Sequence, residues 1–160
     1  MRRMRAGRGF TLLELVIALT VVGILAAIAI PAYFGLVSNT RAAQAVADLE
    51  AVRAAVYLYY GDLGRWPTET PAGMVPRGCV QNLPKNFSFV NKWYTLDYDN
   101  WIPLHRAGRA PNGTTTAIGV SIVCRDPKLL DRTYRLIKNA KFTKISRTKY
   151  TLEIATLNGF

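Results

Sequence analysis

From Phe10 to Ile30 the chain reads FTLLELVIALTVVGILAAIAI, 21 residues in which Glu14 is the only charge. A helix of that length rises about 30 Å at about 1.5 Å per residue, the thickness of a bilayer's hydrocarbon core. After Pro31 the pattern becomes one-sided. Val46, Leu49, Val52, Val56, Tyr59 and Leu63 recur at intervals of three or four, which predicts an amphipathic helix. Seven alanines between Ala42 and Ala55 add helix propensity. The expectation is one helix from Thr11 to Tyr60, kinked near Pro31 and Gly35 and stopped by Gly61 and Gly64.

Beyond Gly64 the periodicity changes. A Pro- and Gly-containing stretch runs from Pro67 to Gly78, and from Phe87 onward the residues alternate. Phe87 and Phe89 alternate, as do Tyr94, Leu96 and Tyr98, with Asn86 and Asn91 as breaks. Ile118, Val120, Ile122 and Cys124 fall on one face of a half-buried strand. Tyr150, Leu152 and Ile154 repeat the pattern, with Lys141–Ser146 as a hairpin partner. Between these strands Asp126-Pro127 opens a short helix, Asp as N-cap and Pro in the first turn. The fold class is therefore α+β: a long N-terminal helix, its second half packed against a small antiparallel sheet.

Charge gives this architecture a direction. The chain holds 21 Lys and Arg against 10 Asp and Glu, a formal net charge of +11. Arg2, Arg3, Arg5 and Arg8 precede the apolar run, and the next basic residue after it is Arg41. The positive-inside rule keeps the first residues in the cytoplasm and sends the rest across. An ordinary signal anchor, or a secretory signal peptide cut near Ala27-Ile28-Ala29, shares these features. Neither accounts for Glu14. A carboxylate that deep in a membrane helix costs on the order of 2.5–3.5 kcal/mol. A free α-amine made by cleavage just before Phe10 would give it a partner within one turn.

The string Gly9-Phe10-Thr11-Leu12-Leu13-Glu14 resembles the prepilin peptidase site of type IV pilins and type II secretion pseudopilins. The likeness extends to Pro31, where that family often carries a helix-kinking proline, and covers about the first fifth of the chain. The segment Gly64-Arg65-Trp66-Pro67-Thr68 is similar, less specifically, to the turn after the long helix in pseudopilins. The resemblance implies a leader over residues 1–9, a membrane and assembly helix over 10–31, its amphipathic continuation over 32–64 and a pilin-like globular head over 65–160. It implies cleavage between Gly9 and Phe10 by prepilin peptidase, methylation of the Phe10 amine, and an assembly role for Glu14 against a neighbouring subunit's amine. The implied function is a structural subunit of a type IV pilus or pilus-like filament, with a type II secretion pseudopilin as the alternative. Its partners are further pilins, and its location is the inner membrane as precursor, then a periplasmic or cell-surface filament.

The head adds little catalytic chemistry. GxSxG, HExxH and Walker-type motifs are absent from the sequence, so neither enzyme activity nor a cofactor is expected. His105 lies in a polar Arg/Gly context and reads as a loop residue. Asp97-x-Asp99-Asn100 offers three oxygen-bearing side chains, short of the six to eight ligands of calcium, and reads as solvated acids on an aromatic-rich strand. Cys79 and Cys124 form no CxxC. On an exported domain they are candidates for one disulfide, two buried free thiols being the alternative. Residues 125–149 hold nine Lys and Arg and two Asp, whereas the rest of the chain after Gly9 is balanced. At about 100° per residue Arg125, Lys128, Arg132, Arg135 and Lys138 share one arc. Asp131 is spaced to pair with Arg135. Such a stripe suits an acidic neighbouring subunit or the phosphates of duplex DNA, the latter implying a DNA-uptake minor pilin.

Overall fold

A computed structural model describes residues 10–106, 115–137 and 141–156. Gly9 and Lys138 lie outside the described residues. The chain divides into two compact units, the first ending at Ser38 and the second beginning at Asn39. The helix α1, Leu12–Leu63, contributes to both.

In the first unit α1 is apolar all round, and its large side chains from Leu12 to Leu36 are mostly exposed. Helical residues run through Pro31. In the second unit the same helix buries Ala42, Ala45, Leu49, Val52, Ala55 and Val56. The buried stripe thus starts earlier than the large apolar residues suggest. Leu63 is exposed, while Ala42 and Ala45 are fully buried. Small residues on the inner face let the helix backbone approach its neighbours, which branched residues there would prevent.

The helix also ends three residues later than expected. Gly61 is still helical, and the stop is Gly64 alone. Its φ of 63° is the left-handed conformation that glycine adopts without a Cβ penalty, and its N–H donates to the Tyr60 carbonyl at 2.8 Å.

Four strands follow: β1 Thr95–Asn100, β2 Thr116–Val123, β3 Phe142–Lys144 and β4 Lys149–Thr156. They form one antiparallel sheet in the order β1-β2-β4-β3. Leu96, Tyr98, Val120, Ile122, Leu152 and Ile154 join the inner stripe of α1 in one hydrophobic core. Tyr57 ties helix to sheet by donating to the Ile154 carbonyl at 2.8 Å, and Tyr94 by donating to Asp48 at 2.6 Å. The expected β3–β4 hairpin is present. The strand expected at Phe87–Phe89 is not: only an isolated bridge, Val90 to Thr95, forms there. Asn86 has a φ of 62°, and the Ser88 hydroxyl accepts from the Val90 N–H, so local polar side chains bend this segment.

Two short helices complete the unit. The helix α2, Ile102–Arg106, includes position 105, so the backbone of His105 is helical rather than a loop. The helix α3, Pro127–Leu136, starts as its sequence predicts: Asp126 accepts from the Lys128 N–H at 2.9 Å and Pro127 is the first helical residue.

Candidate functional site

The start of α1 is closed by three reciprocal hydrogen bonds between Thr11 and Glu14. The Glu14 carboxylate accepts from the Thr11 N–H and the Thr11 hydroxyl, each at 2.8 Å, and the Glu14 N–H donates to that hydroxyl at 3.2 Å. This is a capping box, and it leaves the carboxylate turned back toward Phe10 at the positive end of the helix. Reading Glu14 only as an unexplained charge misses it, although the T-x-x-E spacing is its sequence signature. Among the described residues α1 is the one helix long and apolar enough to cross a membrane, by length and composition.

The two cysteines are not joined. Cys79 and Cys124 are separate buried free thiols in this structure. Each has its own surroundings. Cys79 precedes the 3-10 turn Val80–Asn82, and burial pushes its thiol up to about 11. Cys124 donates to the Trp93 carbonyl at 3.1 Å and accepts from the Asp126 N–H at 3.2 Å. Burial raises its thiol too.

The acids of β1 are not solvated as expected. Asp99 is 2% exposed. Lys149, from β4, reaches across β2 to donate to Asp97 at 2.8 Å and to Asp99 at 2.6 Å. Ser121 on β2 donates to Asp99 and lies 2.6 Å from the Thr151 hydroxyl. The oxygens of Asp97 and Asp99 thus converge on an ammonium, and Asn100 donates its side-chain amide to the Pro67 carbonyl at 2.8 Å. Two carboxylates facing one ammonium leave a surplus negative charge in a poorly solvated place. Burial accordingly raises Asp99 above the usual carboxylate range. It also works to lower Lys149, but the facing Asp99 and Asp97 outweigh it and hold the ammonium above the usual lysine value. Among the described residues no three His, Cys, Asp or Glu side chains gather into a metal-binding group.

This pairing also thins the basic window, since Lys149 is spent inside the sheet. Lys141 pairs with Glu153 at 3.4 Å. On α3, Leu129, Leu130 and Thr133 are buried and Lys128, Tyr134, Arg135 and Leu136 are exposed, as is Arg125 just before it. Arg132 is half-buried and donates to Asn39 of α1. Asp131 does not meet Arg135; it accepts from the Tyr150 hydroxyl at 3.1 Å. Asn39, Lys128, Asp131, Arg132 and Arg135 line an open cleft of about 450 Å³.

Comparison with known proteins agrees with this geometry at the N-terminus. A family model described as the prokaryotic N-terminal methylation motif matches residues 4–30. A type IV major pilin protein PilE1 of Neisseria gonorrhoeae is 43% identical over 67 residues, which are 42% of this chain and 31% of that one. The N-terminal segment of this chain is thus similar to those of type IV pilins and of a type II secretion core protein. The fimbrial protein EcpC of Eikenella corrodens is 43% identical over 65 residues, covering 41% of this chain and 42% of its own. The type II secretion system core protein G of Pectobacterium carotovorum subsp. carotovorum is 29% identical over 96 residues, 59% of this chain and 62% of that one. The chain therefore spans less than half the length of the pilins it matches. No solved structure matches it.

Proposed function

We propose that this chain is a structural subunit of a type IV pilus or pilus-like filament and has no enzymatic role. It is made as an inner-membrane precursor, cut between Gly9 and Phe10 by prepilin peptidase and methylated at the Phe10 amine. It then assembles with further pilins into a periplasmic or cell-surface filament. One observation carries the reading: an apolar helix whose side chains are exposed all round, with a single carboxylate one turn from the cleavage site. Such a surface needs lipid or other helices around it. The capping box holds the Glu14 carboxylate near the new amine end, where it meets the amine of a neighbouring subunit.

The test is Glu14→Ala in the native host. The variant is expected to be processed and membrane-inserted but poorly incorporated into filaments, and N-terminal mass analysis should find a mature start at methylated Phe10. Normal incorporation would refute the assembly role, and a mature start near Ala32 would refute the processing.

A pseudopilin of a type II secretion system is the second reading. It is favoured by the longer match to the core protein G, which covers 62% of that protein. Deleting the chain separates the two. Lost export of a secreted enzyme with pili intact supports the pseudopilin, and lost pili with export intact supports the pilin.

A further inference from the structure

Several cations of the second unit lie near the part of α1 that begins at Asn39. At about 100° per residue, Asn39 and Arg41 lie about 160° apart around α1, on either side of Ala42. On one side Asn39 accepts from Arg132, whose neighbours Lys128 and Arg135 line the same cleft. On the other, the Arg41 guanidinium stacks over the Trp93 ring, 3.6 Å from its centroid, and the Lys92 ammonium lies 4.9 Å from it. Trp93 remains 41% exposed. The two sides are joined through Cys124, which donates to the Trp93 carbonyl and accepts from the N–H of Asp126, the cap of α3. Asp126 and Asp131 lie among these cations, and both accept hydrogen bonds from within the head.

The chain itself fixes where this collar begins. Asn39 is the first residue after the exposed apolar unit, and Arg41 is the first basic residue after the apolar run. Cations flanking a helix on both sides, with a half-exposed tryptophan among them, suit a flat anionic layer. Aromatic rings settle at the headgroup level, and basic side chains next to a membrane segment attract anionic lipid. A duplex would be gripped along one face, and the three described cations on α3 make a short track for it.

We propose that this collar is a membrane-interface surface that binds the phosphate headgroups of anionic phospholipid while the chain is a membrane-anchored precursor. The proposal rests on the reading that the apolar unit lies in the bilayer. Headgroup contact holds this collar at the membrane surface until the chain is extracted into a filament.

The experiment uses the full chain in bilayers containing spin-labelled phosphatidylglycerol or phosphatidylcholine. The motionally restricted fraction of each label gives the lipid preference of the protein surface. Near-surface cations favour anionic lipid by about fivefold each, so a preference of several-fold for phosphatidylglycerol is expected. Lys128→Gln with Arg135→Gln, both exposed positions, should lower it several-fold with the circular dichroism unchanged. Arg65→Gln, beyond the far end of α1 and about 33 Å along it from Arg41, should leave it intact. No restricted fraction for either lipid would mean that the chain does not insert, overturning the membrane reading and the proposal together. Equal restricted fractions would overturn the proposal alone. A preference erased by inorganic phosphate, but not by chloride at equal ionic strength, would reassign the cleft to the free ion. Duplex DNA binding lost in the double variant, with no lipid preference, would reassign it to nucleic acid.

Discussion

The two halves of α1 have the same secondary structure and opposite physical situations. From Leu12 to Leu36 its apolar side chains are mostly exposed, and none of its most apolar stretch is buried within the chain. From Ala42 to Val56 one stripe is buried to within 1% exposure against a sheet. The first half satisfies its backbone internally and asks for an apolar surrounding. The second supplies the surrounding itself, with a stripe of small and branched residues on one side and charge on the other. Helicity therefore says little about where stability resides. Burial does, and it assigns the intrinsic stability of this protein to the second unit.

The sharpest way to probe that assignment is the charge cluster inside the sheet. Lys149→Met leaves Asp97 and Asp99 without their counter-charge, and losing one partner of a buried pair costs about 3–5 kcal/mol. Denaturant unfolding of the chain in detergent micelles near pH 7 measures it. The pH dependence has a definite sign. Burial already raises Asp99, and removing the ammonium raises it further. The folded variant then binds more protons than the unfolded chain, so its stability falls as pH rises through the raised Asp99 value and recovers on acidification. In the unsubstituted protein Lys149 is itself raised. Its contribution is complete below the ordinary lysine value and is lost as pH rises through the higher folded one. A variant equally unstable at low and neutral pH would break this account.

Core truncation compares the halves directly. Leu49 is fully buried, and Leu49→Ala should destabilise the head by about 2–5 kcal/mol in the same unfolding measurement. Leu19→Ala removes the same atoms from the same helix at a position 63% exposed and should leave that transition unmoved. A shift of similar size from Leu19→Ala would mean that the apolar unit contributes to the fold of the head.

These two tests also mark what could be read from the residues. The helix, the α+β class, the sheet strands from Tyr94 onward and the Asp126-Pro127 start were legible because each has a local signature: period, alternation or a capping pair. Alanine on the inner face of α1 was not, since alanine reads as propensity and only packing shows that Ala42 and Ala45 face the core. The Lys149–Asp97–Asp99 cluster was hidden for a different reason. Its members are some 50 residues apart, and only the β1-β2-β4 order brings them together. Counting Lys149 in the basic window 125–149 followed from treating charge along the chain as charge in space. Glu14 lay between these cases. Its cost in a membrane was plain, while its capping box with Thr11 was written in the spacing and overlooked.

Smaller effects are expected at the caps. Asp126→Ala removes the acceptor for the Lys128 N–H and should destabilise the head by about 1 kcal/mol. The same substitution should loosen the Cys124 surroundings, because the Asp126 backbone bonds to that thiol. Faster alkylation of Cys124 in the folded variant, with Cys79 still protected, is the second measurement.

The smallest effect discriminates most finely, because one chemical change is applied at three points of one helix end and its partner half. Gly61 is helical, and a methyl group there would meet nothing within 4 Å. Gly61→Ala therefore gains helix propensity without a clash and should stabilise the head by about 0.5–1 kcal/mol. Gly64, three residues on, is equally open, but its φ of 63° is the left-handed conformation that alanine adopts at a cost. Gly64→Ala should therefore destabilise by about 1 kcal/mol, and the two substitutions should have opposite signs. Gly23 is open and helical like Gly61 but lies in the apolar unit. Gly23→Ala should add helix propensity there and leave the head's unfolding midpoint where it was. If Gly23→Ala instead raises that midpoint as Gly61→Ala does, the two halves of α1 unfold as one cooperative element, and the assignment of stability to the second unit alone is wrong.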